Sequence, residues 1–262
     1  MREDVSMPGA DQECLASSCV QVIAAEVDLF LLRAIAPGAA SKQSRRLAQG
    51  SEREGTMGVA IAGQQFRWPN RTIAYVIDPD LGCDEEAAEA IEHWHSHSSI
   101  RFVPRTNETD FVRLVRLPGF ALSDVGRRGG EQKVSLGDSC SAGIIIHELG
   151  HAVGLWHEHC RDDRDQWVEV DWTNIEDGCE DNFKQRWIDQ APAQTEDIGA
   201  YDYGSIMHYP PGCFAIDDRD PTLKLLKPVP AGVSVGQRDG LSAGDVAAVE
   251  QMYQGIAPPI AG

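Results

Sequence analysis

The chain has no run of about 18 apolar residues, the length a membrane-crossing helix needs. The nearest approach, Val20 to Ala36, is broken by Glu26, Asp28 and Arg33. Positive charge is scarce: 23 Lys and Arg stand against 41 Asp and Glu, a net charge of −18. A surface of that sign repels phosphate backbones, so nucleic acid is not an expected partner. No two of the seven cysteines are spaced CxxC, which argues against a zinc ribbon and against a thioredoxin-type redox site. An export signal is also missing at Met1: Met1–Ala10 carries Arg2 but also Glu3 and Asp4, and no apolar stretch follows. No internal repeat is visible.

What is present is enough for a real core. At 262 residues, 42% hydrophobic and 24% charged, the chain fits one large folded domain or two modest ones. The cysteines, Cys14, Cys19, Cys83, Cys140, Cys160, Cys179 and Cys213, are scattered. That fits an exported protein with one to three disulfides, and their odd number leaves at least one outside any internal pair. The protein is therefore expected outside the cell, although no signal peptide is visible. Residues 1–57 combine a weakly amphipathic stretch, Val20–Ile35, with a small, polar and basic one, Ala36–Gly55. They read as a pro-region or linker, and 58–262 as the folded domain.

Within that domain, Arg71–Asp78 alternates like a strand, and Asp84 can cap a helix to about Ser96 with Ala87, Ile91 and Trp94 on one face. Ile100–Pro104, Asp110–Leu117 and Lys133–Leu136 read as further strands. Ser141 caps an apolar helix from Ala142 to about Gly154. Residues 157–197 hold 13 acidic and 4 basic side chains, half of the net charge. A helix over Asn174–Trp187, turn-rich sequence over Tyr201–Pro211 and a last helix over Ala243–Tyr253 complete the reading. The expected plan is α+β: a regular N-terminal half, 58–157, and an irregular C-terminal half, 158–262.

The chemistry lies in His147-Glu-Leu-Gly-His151-Ala-Val-Gly-Leu-Trp-His157-Glu158. Residues four apart on a helix share a face, so His147 and His151 can both reach one Zn²⁺. Glu148 beside them can reach water rather than the metal. Gly154 lets the helix stop and the chain turn, so that His157 returns as third ligand. Three histidines leave a fourth position for water, as catalytic zinc sites do and structural ones do not. The added glycine and third histidine make chance far less plausible than for a bare HExxH. Downstream, Ser205-Ile-Met207-His208-Tyr209 can supply an apolar methionine floor under the metal and a phenol for an oxyanion.

Together these segments resemble the astacin family of metzincin zinc endopeptidases, from about residue 59 to 253. GQQFRWPNRTIAYVID, SIRFVPRTNETDFV, KVSLGDSC, IIIHELGHAVGLWHEHCRDDRD and YDYGSIMHY carry the likeness. The resemblance implies a zincin fold: a twisted mixed sheet and two long helices, then an irregular subdomain, with the active-site cleft between them. It implies zinc ligands His147, His151 and His157, general base Glu148, Met207 in the Met-turn and Tyr209 as a displaceable fifth ligand. It also implies that Glu158 anchors a mature amino terminus near Gly58–Ala60. One Zn²⁺ is the implied cofactor and proteins or peptides are the substrates, added as a strand along Ala121–Gly126; the oligomeric state stays open.

The departures set further expectations. The family's F-x-G-D pro-region sequence is absent from residues 1–57, so Cys14 or Cys19 is a candidate to occupy the fourth zinc position in a latent form. Cys140 matches half of a family bridge, but no cysteine lies near Ala121, its expected partner position. Cys160–Cys179 is the expected substitute pair and Cys83–Cys213 a weaker one, which leaves Cys140 as the unpaired thiol. His93, His95 and His97 are expected on a solvated helix face. The competing reading of the whole is a catalytically silent, zinc-stabilised binding protein.

Overall fold

A computed structural model describes residues 57–117, 119, 121–185 and 195–258. Cys14, Cys19 and the segments Val20–Ile35 and Ala36–Gly55 lie outside the described residues. A five-stranded sheet dominates the first half, in the order β3-β2-β4-β6-β5. Its strands are β2 (Thr72–Ile77), β3 (Arg101–Pro104), β4 (Phe111–Val115), β5 (Ala121–Ser123) and β6 (Glu131–Leu136). All neighbours are parallel except β5, which runs antiparallel to β6 and forms one edge. The mixed sheet matches the expected fold class.

Two helices pack on this sheet, α1 (Asp84–His97) and α2 (Ala142–Val153). Ala87, Ala90, Ile91 and Trp94 bury the inner face of α1 at helical spacing. Its N-cap is Cys83 with no side-chain cap, so Asp84 is the first helical residue rather than the cap. For α2 the expected cap holds: the Ser141 hydroxyl accepts from Ile144 N at 3.2 Å. From Gly143 onward α2 is buried all round, as befits a helix enclosed by a core.

The second half has little regular structure. Its strands among the described residues are β8 (Thr195–Gly199), paired with β1 (Met57–Ile61) from the start of the domain, and β7 (Val168–Val170), paired with β9 (Leu223–Leu225). Its α-helix there is α3 (Ala243–Met252), opened by a capping box between Ser242 and Asp245. The helix expected over Asn174–Trp187 does not form in the described part of that segment. Two 3₁₀ turns, Trp172–Asn174 and Glu180–Phe183, lie there instead. Gly178 between them sits at φ 88°, outside any right-handed helix, and Cys179 is held in a disulfide. An apolar cluster around Phe183, Tyr201, Tyr203, Tyr209 and Phe214 fills this half.

The cysteine pairing also differs from expectation. Cys83 bonds to Cys140, with Cα atoms 6.3 Å apart, and ties the starts of α1 and α2 together. Cys179 and Cys213 are disulfide-bonded and share the C-terminal cluster. Cys160 keeps its thiol, which donates to the Asn182 carbonyl at 3.5 Å. Neither Cys160–Cys179 nor Cys83–Cys213 exists, and Cys140 is not the thiol. Disulfide geometry is set by where backbones meet, which sequence spacing does not report. The histidine face of α1 is likewise not simply solvated: His93 and His97 stack at 4.0 Å, and His93 Nε2 accepts from Leu241 N.

Candidate active site

The zinc-type motif lies at the end of the first half, and the turn beneath it comes from the second. Helix α2 presents His147, Glu148 and His151 within about one turn. Its C-terminal carbonyls are tied down from several directions: Trp68 Nε1 donates to Ala152, Gly126 N to His151 and the Tyr253 hydroxyl to Val153. Gly154 at φ 126° ends the helix. The chain then turns, and Trp156 N donates to Val59 in β1. That turn brings His157 back over the helix.

The three imidazoles converge. His157 Nε2 lies 3.3 Å from His147 Nε2 and 3.1 Å from His151 Nε2. His147 Nδ1 bonds the Ile206 carbonyl and His151 Nδ1 the Leu155 carbonyl, both at 2.8 Å. A carbonyl only accepts, so both Nδ1 atoms carry the proton and both Nε2 atoms present lone pairs. His157 Nε2 faces both lone pairs, and three imidazole nitrogens within 4.8 Å of one another offer one ion a common position. Burial, helped by Arg238 and His151, holds His147 well below the usual imidazole range, so the neutral, ligand-competent form is favoured. The donor set therefore fits a tetrahedral N₃ metal site with one further position.

Glu148 lies beside this cluster and is 5% exposed. Its Oε2 finds no hydrogen-bond partner among the described residues. Burial pushes its carboxyl up to about 8, against the opposing charge of Arg238. Underneath, Met207 enters from the second half. A Cβ on Gly150 would stand 2.8 Å from the Met207 sulfur, so the bare glycine lets that sulfur touch the helix between the two histidines. Tyr209 stands next to His157, with ring centroids 4.4 Å apart. His208 is buried beneath it: Tyr201 donates to its Nε2 and its Nδ1 donates to the Tyr209 carbonyl, both at 2.6 Å.

Glu158 is buried and accepts from Asp202 N at 2.9 Å, with Arg161 Nε 3.7 Å away. Arg161 in turn donates to the carbonyls of Gly58, Ile198 and Gly199. Glu158 is thus linked to the start of β1 through Arg161.

A family model described as astacin, a peptidase family, matches residues 60–254. The chain belongs to the astacin family. Among curated astacin relatives, zinc metalloproteinase nas-13 of Caenorhabditis elegans is 38% identical over 199 residues, 74% of this chain and 42% of that protein. Bone morphogenetic protein 1 of Xenopus laevis is 38% identical over 196 residues, 71% of this chain and 27% of that protein. The chain thus spans less than half the length of these two relatives. Among solved structures, the hatching-enzyme zinc protease of Oryzias latipes superposes with a TM-score of 0.61 at 32% identity, covering 74% of this chain and 92% of that one. Zinc is the metal of astacins, and the His147, His151 and His157 cluster is the matching donor set.

Sequence reasoning brought the three histidines, Glu148, Glu158, Met207 and Tyr209 to this region. It missed Gly150, whose missing side chain admits Met207, and Asp245. The Asp245 carboxylate accepts from the Ser205 hydroxyl and from Ile206 N at 2.6 and 2.9 Å, and so anchors the turn that carries Met207. In the sequence, Ser242 and Asp245 have the spacing of a capping box, a signal for a helix start and not for an anchored turn.

Proposed function

We propose that this chain is a zinc-dependent endopeptidase that hydrolyses peptide bonds within proteins, with Glu148 as its general base. The observation that carries this reading is the pairing of three converging imidazole nitrogens with a buried carboxyl whose Oε2 is unbonded. His147, His151 and His157 hold the ion, which when bound polarises a peptide carbonyl and acidifies water. Glu148 accepts the proton of the attacking water and passes it to the leaving amine. Its burial strengthens it as a base, while a cation at the histidines acts in the opposite sense. The Tyr209 phenol beside His157 donates to the developing oxyanion. Substrate binds as an added strand along the edge strand β5.

A purely structural zinc site has no use for a buried carboxyl next to its ligands whose Oε2 accepts from no described protein donor, which favours catalysis over the silent binding protein. We read residues 1–57 as the pro-region and 58–262 as the catalytic domain, with Glu158 and Arg161 securing the start of β1. The disulfides support a location outside the cell. The deciding experiment is Glu148→Gln in the full chain. Zinc content stays at the parent level and casein hydrolysis falls by about 10²–10⁴ or more. Casein cleavage at the parent rate by the zinc-loaded variant overturns the reading.

A further inference from the structure

One carbonyl, that of Ile206, orients the ring of His147. The same oxygen accepts a second hydrogen bond, from Nη1 of Arg238 at 3.0 Å. Nη1 also lies 3.3 Å from the carbonyl oxygen of His208. These two carbonyls flank Met207, so the guanidinium straddles the turn beneath the histidines. Its own segment is fixed by the same nitrogen, which contacts the Gln237 and Gly236 carbonyls at 2.9 and 3.3 Å. Gln237 Nε2 adds bonds to the Gly204 and Gly240 carbonyls, both at 2.8 Å.

A second observation places the Arg238 backbone against the metal helix itself. A Cβ on Gly143, in the first turn of α2, would stand 1.8 Å from the Arg238 carbonyl oxygen. Only a residue without a side chain lets the two backbones meet there. Arg238 is therefore wedged between the helix that carries His147 and the turn that carries the carbonyl His147 needs. A carbonyl has two lone pairs, so Ile206 serves both donors at once.

We propose that Arg238 is a positioning residue of the metal centre: it fixes the Ile206 carbonyl, and through it holds the His147 ring with Nε2 turned toward the ion. The inference rests on the reading of His147 as a zinc ligand. The planar, fixed-charge guanidinium suits this task because its frame holds the Nη1 protons in one plane and never gives up its charge. Partners that orient a metal-bound histidine are worth about 10–100-fold in metal affinity or activity when lost.

The test uses the full chain as Arg238→Met and Arg238→Lys, with three readouts: zinc release to a chelator, the visible spectrum of the cobalt-substituted protein, and melting of the metal-free protein. Arg238→Met is expected to release zinc about 10–100-fold faster and to shift the cobalt bands. Arg238→Lys is expected to fall between it and the parent, because the ammonium keeps the charge and its donors but lacks the planar frame that fixes their direction. An Arg238→Met protein with the parent's release rate and cobalt spectrum overturns the proposal. So does faster release with unchanged cobalt bands that merely tracks a lower melting temperature. If Arg238→Met does not fold, Arg238→Lys decides: the parent's rate and spectrum in that variant overturn the proposal. A parent chain that takes up neither zinc nor cobalt removes the ligand assignment itself, and the proposal with it.

Discussion

The two halves of this molecule hold their shape by different means. In the first, five strands and two helices bury apolar faces in one continuous core, from Ile73 and Trp94 to Ile145 and Leu149. In the second, short strands and 3₁₀ turns are fastened by side chains that bond backbone. Arg161 reaches Gly58, Ile198 and Gly199. Arg164 reaches the carbonyls of His159 and Phe183. Asn174 reaches Asp217 and Asp220. The first half offers a rigid helix, and hence two ligands at fixed spacing. The second brings loop residues, Met207 and Tyr209, to meet it, and His157 stands at the boundary between the two. Where the backbone does not satisfy itself, buried polar side chains take over that task, and each becomes a point of failure.

The largest expected effect is in the second half. Arg161→Met leaves Glu158 buried beside no cation and several carbonyls without donors, at a cost of about 3–5 kcal/mol. Urea unfolding of the variant measures it, and a loss below about 1 kcal/mol contradicts the contrast between halves. In the first half the comparable break is covalent. Cys83→Ser with Cys140→Ser opens a bridge across a sequence separation of 57 residues. The expected loss is about 4 kcal/mol, read by the same titration under non-reducing conditions.

A pH effect sharpens the comparison next. Burial pushes the Asp245 carboxyl up to about 6, from an ordinary 3.8. A raised folded value means the stabilising contribution is full below pH 3.8 and is lost as the pH rises through about 6. The shift corresponds to about 3 kcal/mol. Stability measured between about pH 4 and 7 is therefore expected to fall less steeply in Asp245→Asn than in the parent. The smallest effect is Ser242→Ala, which removes the cap of α3 and costs about 1 kcal/mol, visible as a small drop in melting temperature.

Legibility follows the same division. Strands β2, β3, β4 and β6 and the helices α1 and α3 are readable from their periodic apolar positions, and α2, buried all round, from its apolar run behind the Ser141 cap. The spacing of His147 and His151 on a helix points to a metal site from local geometry alone. The ribbon strand β8, Thr-Glu-Asp-Ile-Gly, carries almost no apolar alternation and is not readable. It is a strand because β1 pairs with it. The 174–187 segment looks helical by local pattern, and in its described part, 174–185, a left-handed glycine with a disulfide overrides that. Arg161 stands in the family signature, but its three carbonyl partners lie up to 103 residues away.

By itself the sequence determined what short-range geometry can encode: the amphipathic elements, the i,i+4 histidine pair with its glutamate, and the glycine that ends the helix. Those depend on periodicities fixed by backbone stereochemistry. Only the tertiary structure decided which cysteines meet, that Gly150 admits the Met207 sulfur, and that one carbonyl at Ile206 serves both His147 and Arg238. These are meetings of residues between 32 and 59 positions apart, and nothing in a local repeat specifies where two distant backbones will touch.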